Sequence, residues 1–166
     1  MTAPIHLVRG SDPVLVSEEV TTIVTSLLAG RDRTEAVEEL SGDDYEAADI
    51  VMAASSVSMF GDRIVVARNA SRFGTDALLP LLGYLADPNP TSTIVLVWEK
   101  PVSANSHPLP KKLTDAVKAC GGEVHNTELP VQAKQRTAWL DAQYNDARPL
   151  LTSEDAAKPL GQQNRL

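Results

Sequence analysis

Cysteine is nearly absent: Cys120 is the single one in 166 residues, so no disulfide can form within the chain and no thiolate cluster can hold a metal. It lies in Ala119-Cys120-Gly121-Gly122, where a small residue packed near a helix end is the plain reading. A reactive thiol would need a basic or histidine neighbour that only the fold could bring. Long apolar runs are missing too. None approaches the roughly 18 residues that a membrane-spanning helix needs. Met1-Thr2-Ala3-Pro4 shows no basic segment leading into an apolar one, so no secretory signal is expected and the expected location is cytoplasmic. Positive charge is in deficit, with 15 Lys and Arg against 22 Asp and Glu and a net charge of −7. DNA binding draws most of its affinity from Lys and Arg neutralising phosphates, and the densest positive spot here is the pair Lys111-Lys112. Autonomous DNA binding is therefore not expected; any contact with DNA is weak or indirect, inside a larger assembly. The hydrophobic share of 43%, only 4% of the chain being aromatic, suits one core of ordinary size or one domain with part of a second.

The apolar pattern alternates between strand and helix signals. Residues 5–8 followed by Arg9-Gly10 read as a strand and a tight turn. Ser11 or Asp12 can cap the next helix, with Pro13 in its first turn, where no amide donor is missed. Val16, Val20, Ile23, Val24, Leu27 and Leu28 then recur at helical spacing, and Gly30 is placed to end the helix. A short strand is expected over 34–40, then a helix capped by Asp43 or Asp44 and running through Tyr45 to Ala54. The β-branched run 63–67 predicts a buried strand, and 76–85 a helix whose first turn is confined by Pro80. Residues 93–98 carry the strongest strand signal in the chain; a proline-marked loop over 101–110, a helix over 109–120 and a short strand over 123–125 follow. This order predicts an α/β domain over 1–128 with a mainly parallel sheet covered on both faces. Beyond the boundary near Glu128-Leu129-Pro130, residues 129–166 read as the start of a helical second domain.

A strand, glycine turn and helix frame the usual phosphate-binding loop, which requires Gly-x-x-x-x-Gly-Lys-Ser/Thr. From Gly10 the chain reads Gly10-Ser11-Asp12-Pro13-Val14-Leu15-Val16-Ser17. Gly10 and Ser17 are in register, but Leu15 stands in place of the second glycine and Val16 in place of the lysine. Close wrapping of phosphates and the charge that reaches them are both lost, and Asp12 adds a negative charge where the anion would sit. The end of the next strong strand, Trp98-Glu99-Lys100, keeps only Glu99 of the acidic pair that a magnesium-dependent nucleotidase places there. No nucleotide chemistry and no cofactor are expected. There is no Gly-x-Ser-x-Gly, His-Glu-x-x-His or Gly-x-Gly-x-x-Gly. His6, His107 and His125 are scattered without a second ligand type at metal spacing, so they read as ordinary histidines and no metal is expected.

The segment Ser55-Ser56-Val57-Ser58-Met59-Phe60-Gly61-Asp62-Arg63 stands out, because one of the chain's three Met and one of its two Phe fall together among small polar residues. They could plug the local core, which composition alone favours. The sharper reading is an apolar peg for a partner's pocket, since binding hot spots set large side chains among small ones.

Met59-Phe60-Gly61-Asp62-Arg63-Ile64-Val65-Val66 resembles the Leu-Phe segment of the delta subunit of bacterial DNA polymerase III, the wrench of the clamp loader. Leu7-Val8-Arg9-Gly10-Ser11-Asp12-Pro13 is similar to that family's opening strand and turn. Asp87-Pro88 ahead of 93–97 and Leu129-Pro130 ahead of Trp139-Leu140 follow its later landmarks in order and spacing. The resemblance implies an AAA+-like α/β domain with a degenerate nucleotide loop (Gly10, Leu15, Val16, Ser17), then a small helical domain. It implies a partner, the ring-shaped beta sliding clamp, whose hydrophobic pocket takes the apolar pair: Met59 at the Leu position and Phe60 at the Phe, flanked by Val57, Ser58 and Gly61. Leu to Met keeps volume and apolarity. The family's other partners are the gamma/tau and delta prime loader subunits. Family members continue into a helical collar that assembles a pentamer; the sequence stops at Leu166, within the helical domain, and a stable place in that pentamer is not expected of it. The function implied is binding, and taking part in opening, the clamp without catalysis; any polymerase activity would belong to the holoenzyme. Two other readings stand beside it: a doubly wound α/β enzyme whose site spacing does not reveal, and an inhibitory or non-functional fragment that merely occupies the clamp.

Overall fold

The computed structural model describes residues 2–99 and 107–128, which belong to one compact unit, Met1–Glu128. Five strands form one parallel sheet: β1 (Ile5–Gly10), β2 (Val37–Leu40), β3 (Arg63–Ala67), β4 (Ser92–Glu99) and β5 (Glu123–Asn126), in the order β2-β3-β4-β1-β5. This is the α/β sheet that the alternation of elements predicts. β4 is flanked by strands on both sides and residues 92–98 of it are all buried, which is why its sequence is an unbroken run rather than an alternation.

Strand periodicity divides the core in two. Val8, Ile64, Val66, Val95 and Val97 point to one face and pack on Val16, Val20, Ile23 and Val24 of α1 (Pro13–Leu28). Ile5, Leu7, Val65, Ile94 and Leu96 point to the other, covered by α3 (Ala47–Ser55), α4 (Leu79–Leu85) and α5 (Lys111–Ala119). β-branched side chains suit the α1 face because burying each one contributes about 1.5–3 kcal/mol at little further rotamer cost in a strand.

Three local expectations are revised. Residues 34–40 are not all strand: Asp32 accepts from the Thr34 N–H at 2.8 Å and starts a single helical turn, α2 (Arg33–Ala36), before β2. Neither Asp43 nor Asp44 caps α3. The Tyr45 ring is buried edge-on to Phe73 with its hydroxyl donating to the Arg68 carbonyl, which holds the chain extended there. The helix then starts at Ala47 behind Glu46, whose N–H donates to the Asp49 carboxylate at 2.7 Å. Helix α4 begins at Leu79, with Pro80 in its first turn. The expected helices within 129–166 lie outside the described residues.

Candidate partner-binding site

The connection from α3 to β3, residues 57–62, is short and anchored at both ends. At its start the Ser56 N–H donates to the Met52 and Ala53 carbonyls and its hydroxyl to Met52, closing α3. At its end the Arg63 N–H donates to the Thr91 carbonyl, fixing the start of β3. Arg31 braces the loop from below. Its guanidinium donates to Leu27 and Leu28 at the end of α1 and, at 2.6 Å, to the Asp62 carbonyl. Within the loop the Phe60 N–H donates to the Ser58 hydroxyl at 3.2 Å, and Gly61 turns the chain with φ at +101°, where any side chain is strained.

On this rigid base the apolar side chains stand in water. Met59 is 93% exposed, Val57 90% and Phe60 67%. The pair therefore does not plug the core, which Phe73, Leu78, Leu81 and Trp98 close without it. Among the described residues, four of the six exposed large apolar side chains fall within 52–60, the fourth being Met52 on α3. Met52 went unnoticed in the sequence, although a signal was present: it lies off the stripe of Ile50, Ala53 and Ala54 that faces the core.

The degenerate loop takes a shape of its own. β1 ends at Gly10 and α1 begins at Pro13, leaving only Ser11 and Asp12 between them. The Asp12 carboxylate accepts from the Val14 and Leu15 N–H groups at 2.8 and 3.3 Å, so the amides that could cradle a phosphate are already capped. Val16 is buried in the core and Ser17 is exposed on the outer side of α1. In front of Gly10, the space a side chain would take is filled by the Thr127 hydroxyl and Val16. Glu99 ends β4 beside Gly10, and the neighbouring Trp98 is buried, its indole N–H donating to the His107 carbonyl at 3.3 Å.

Two of the histidines that look scattered in sequence meet in space. His6 on β1 and His125 on β5 lie 3.1 Å apart with Glu123 beside both. Burial holds the His6 imidazole below the usual histidine range, while Glu123 pulls it the other way. His107 is exposed and apart from them, its backbone N–H bonded to Ser71.

The arginines of the described residues are engaged in pairs or caps. Arg9 faces Glu128, Arg33 and Arg68 face Glu39, Arg63 faces Glu38, and Arg72 stacks over the rings of Tyr45 and Phe73.

Comparison with known proteins places this arrangement. No curated protein matches the sequence. Among solved structures, the Bacillus subtilis DNA clamp loader delta protein superposes with a TM-score of 0.62 at 18% identity, over 87% of this chain and 44% of that one. The chain thus spans less than half the length of that structure, and at such identity the likeness is one of fold. The sequence model of the DNA polymerase III delta subunit matches residues 6–121, well over half of the chain, and includes β1 from its second residue, the exposed loop and β4. This chain belongs to the DNA polymerase III delta subunit family.

Proposed function

We propose that this chain binds the beta sliding clamp through Met59 and Phe60, with Val57, Ser58 and Gly61 shaping the contact, and takes part in opening the ring without hydrolysing ATP. The observation that carries the reading is the exposure of two adjacent large apolar side chains, 93% and 67%, on a loop braced at its base by Arg31. A fold does not leave such surface in water without cost, and a rigid base means that little ordering entropy is lost on docking. Membership of the delta family supports the clamp as the source of the pocket. For a longer form of the chain the proposal extends to contacts with gamma/tau and delta prime.

The capped start of α1 and the filled space at Gly10 support the absence of ATP chemistry: a phosphate would have to displace a carboxylate already bonded to the same amides. The pairing of the described arginines with carboxylates, carbonyls and rings supports weak or indirect contact with DNA. Equilibrium binding of the chain to immobilised clamp tests the proposal. Saturable binding in the micromolar range or tighter is the expected result, and its absence would remove the clamp as partner.

A further inference from the structure

Parallel pairing of β5 on β1 sets His6 opposite Glu123 and Val8 opposite His125, so both histidines and Glu123 share the face on which α1 packs. Gly122 makes this close register possible: a Cβ there would lie 2.5 Å from the Ile5 side chain and 2.8 Å from its carbonyl. The three groups converge as His6 Nδ1, His125 Nε2 and one carboxylate oxygen of Glu123. Their separations are 3.1 Å between the two nitrogens and 3.4 Å from the oxygen to each nitrogen. Tetrahedral zinc with bonds of about 2.0–2.1 Å requires its ligand atoms to stand about 3.3–3.4 Å apart.

We propose that His6, His125 and Glu123 form a binding site for a zinc-class divalent cation, with Glu19 of α1 positioning His125. Glu19 Oε1 lies 2.9 Å from His125 Nδ1, so that nitrogen carries the ring proton and donates it, leaving the Nε2 lone pair directed at the other two ligands. This carboxylate–histidine arrangement is how ligating imidazoles are commonly held in one tautomer. On binding, a neutral His6 imidazole moves its proton from Nδ1 to Nε2, with no net change in its charge. Its Nε2 is buried with no hydrogen-bond partner among the described residues, which opposes binding and points to moderate rather than extreme affinity. Two carboxylates, with imidazoles that ligate in their neutral form, match the charge of a dication. Two nitrogen donors and one oxygen favour zinc over magnesium or calcium, which take mainly oxygen in larger number. The Glu123 side chain is 60% exposed, so the ion has a path in from solvent.

Titrating zinc chloride into the metal-free full chain, followed by calorimetry and imidazole NMR, tests the site. One equivalent should bind in the micromolar range or tighter and shift the ring signals of His6 and His125. Cobalt in its place should give the intense visible bands of a four-coordinate ion. His125→Ala should abolish this uptake, Glu123→Gln should weaken it, and Glu19→Gln should weaken it about 10–100-fold while keeping the one-to-one stoichiometry. His125 and Glu123 lie on an edge strand, and thermal unfolding of the metal-free variants checks their fold. Absence of stoichiometric uptake by the unmodified chain would overturn the proposal. So would wild-type affinity in Glu123→Gln or His125→Ala, or a six-coordinate cobalt spectrum with unmoved histidine signals.

Discussion

Replacing both Met59 and Phe60 by alanine removes apolar surface that the folded chain leaves in water, so the two outcomes that matter are separable. The folded state gains little from Met59, which is 93% exposed, and only part of what it could gain from Phe60, which is 67% exposed. The double variant should therefore unfold within about 1 kcal/mol of the wild type, as surface substitutions do. A partner that buries the pair completely gains about 1.5–3 kcal/mol from Met59. The third of Phe60 already covered reduces its share to about 1–2 kcal/mol. Together the loss is on the order of 2.5–5 kcal/mol, or roughly two to nearly four orders of magnitude in affinity if the two effects add. Thermal unfolding and binding to immobilised clamp, run on the same preparations, measure both quantities. Unchanged clamp affinity with unchanged stability would take the pair out of the mechanism. A loss of stability of about 3–5 kcal/mol, the size of a buried Phe→Ala change, would contradict the exposure on which the reasoning rests.

Three further outcomes are expected. Titration of labelled ATP with magnesium should show no saturable binding in the micromolar range; binding that is lost on mutating Gly10 or Ser17 would refute the reading of the α1 start. Arg31→Ala removes the guanidinium's bonds to Leu27, Leu28 and Asp62 and should cost about 1–2 kcal/mol by chemical denaturation, while weakening clamp binding far less than loss of the peg itself. Tyr45→Phe should cost about 1 kcal/mol near neutrality by losing the bond to the Arg68 carbonyl. Burial, opposed by the Arg72 cation, pushes the Tyr45 phenol up to about 12 from an ordinary 10.0. The neutral ring is thus favoured by the fold, and its stabilisation is complete below pH 10 and falls away as pH rises through about 12. The stability gap between wild type and Tyr45→Phe should accordingly close over that window and then reverse in sign; a constant gap would refute the assignment.

Much of the fold could be read along the chain, because periodicity and caps are local. Alternation of strand and helix signals marked β1, β3, β4 and α1, and Asp12 ahead of Pro13 marked the start of α1, since a cap bonds to amides two and three residues away. The start of α3 could not be placed that way: whether Asp44 or Glu46 precedes it depends on Tyr45 reaching Phe73 and Arg68, contacts made across the fold. The same limit applied to the functional residues. Met59 and Phe60 have one composition whether they fill a core or project from it, and they project because side chains distant in sequence already close the space beneath them. His6 and His125 are 119 positions apart, and nothing in their local sequence carries the β1–β5 register that sets them side by side. Helices and turns follow from interactions a few residues long, whereas exposure and convergence follow from how the whole chain packs, which is a property of distances in space and not of spacing in sequence.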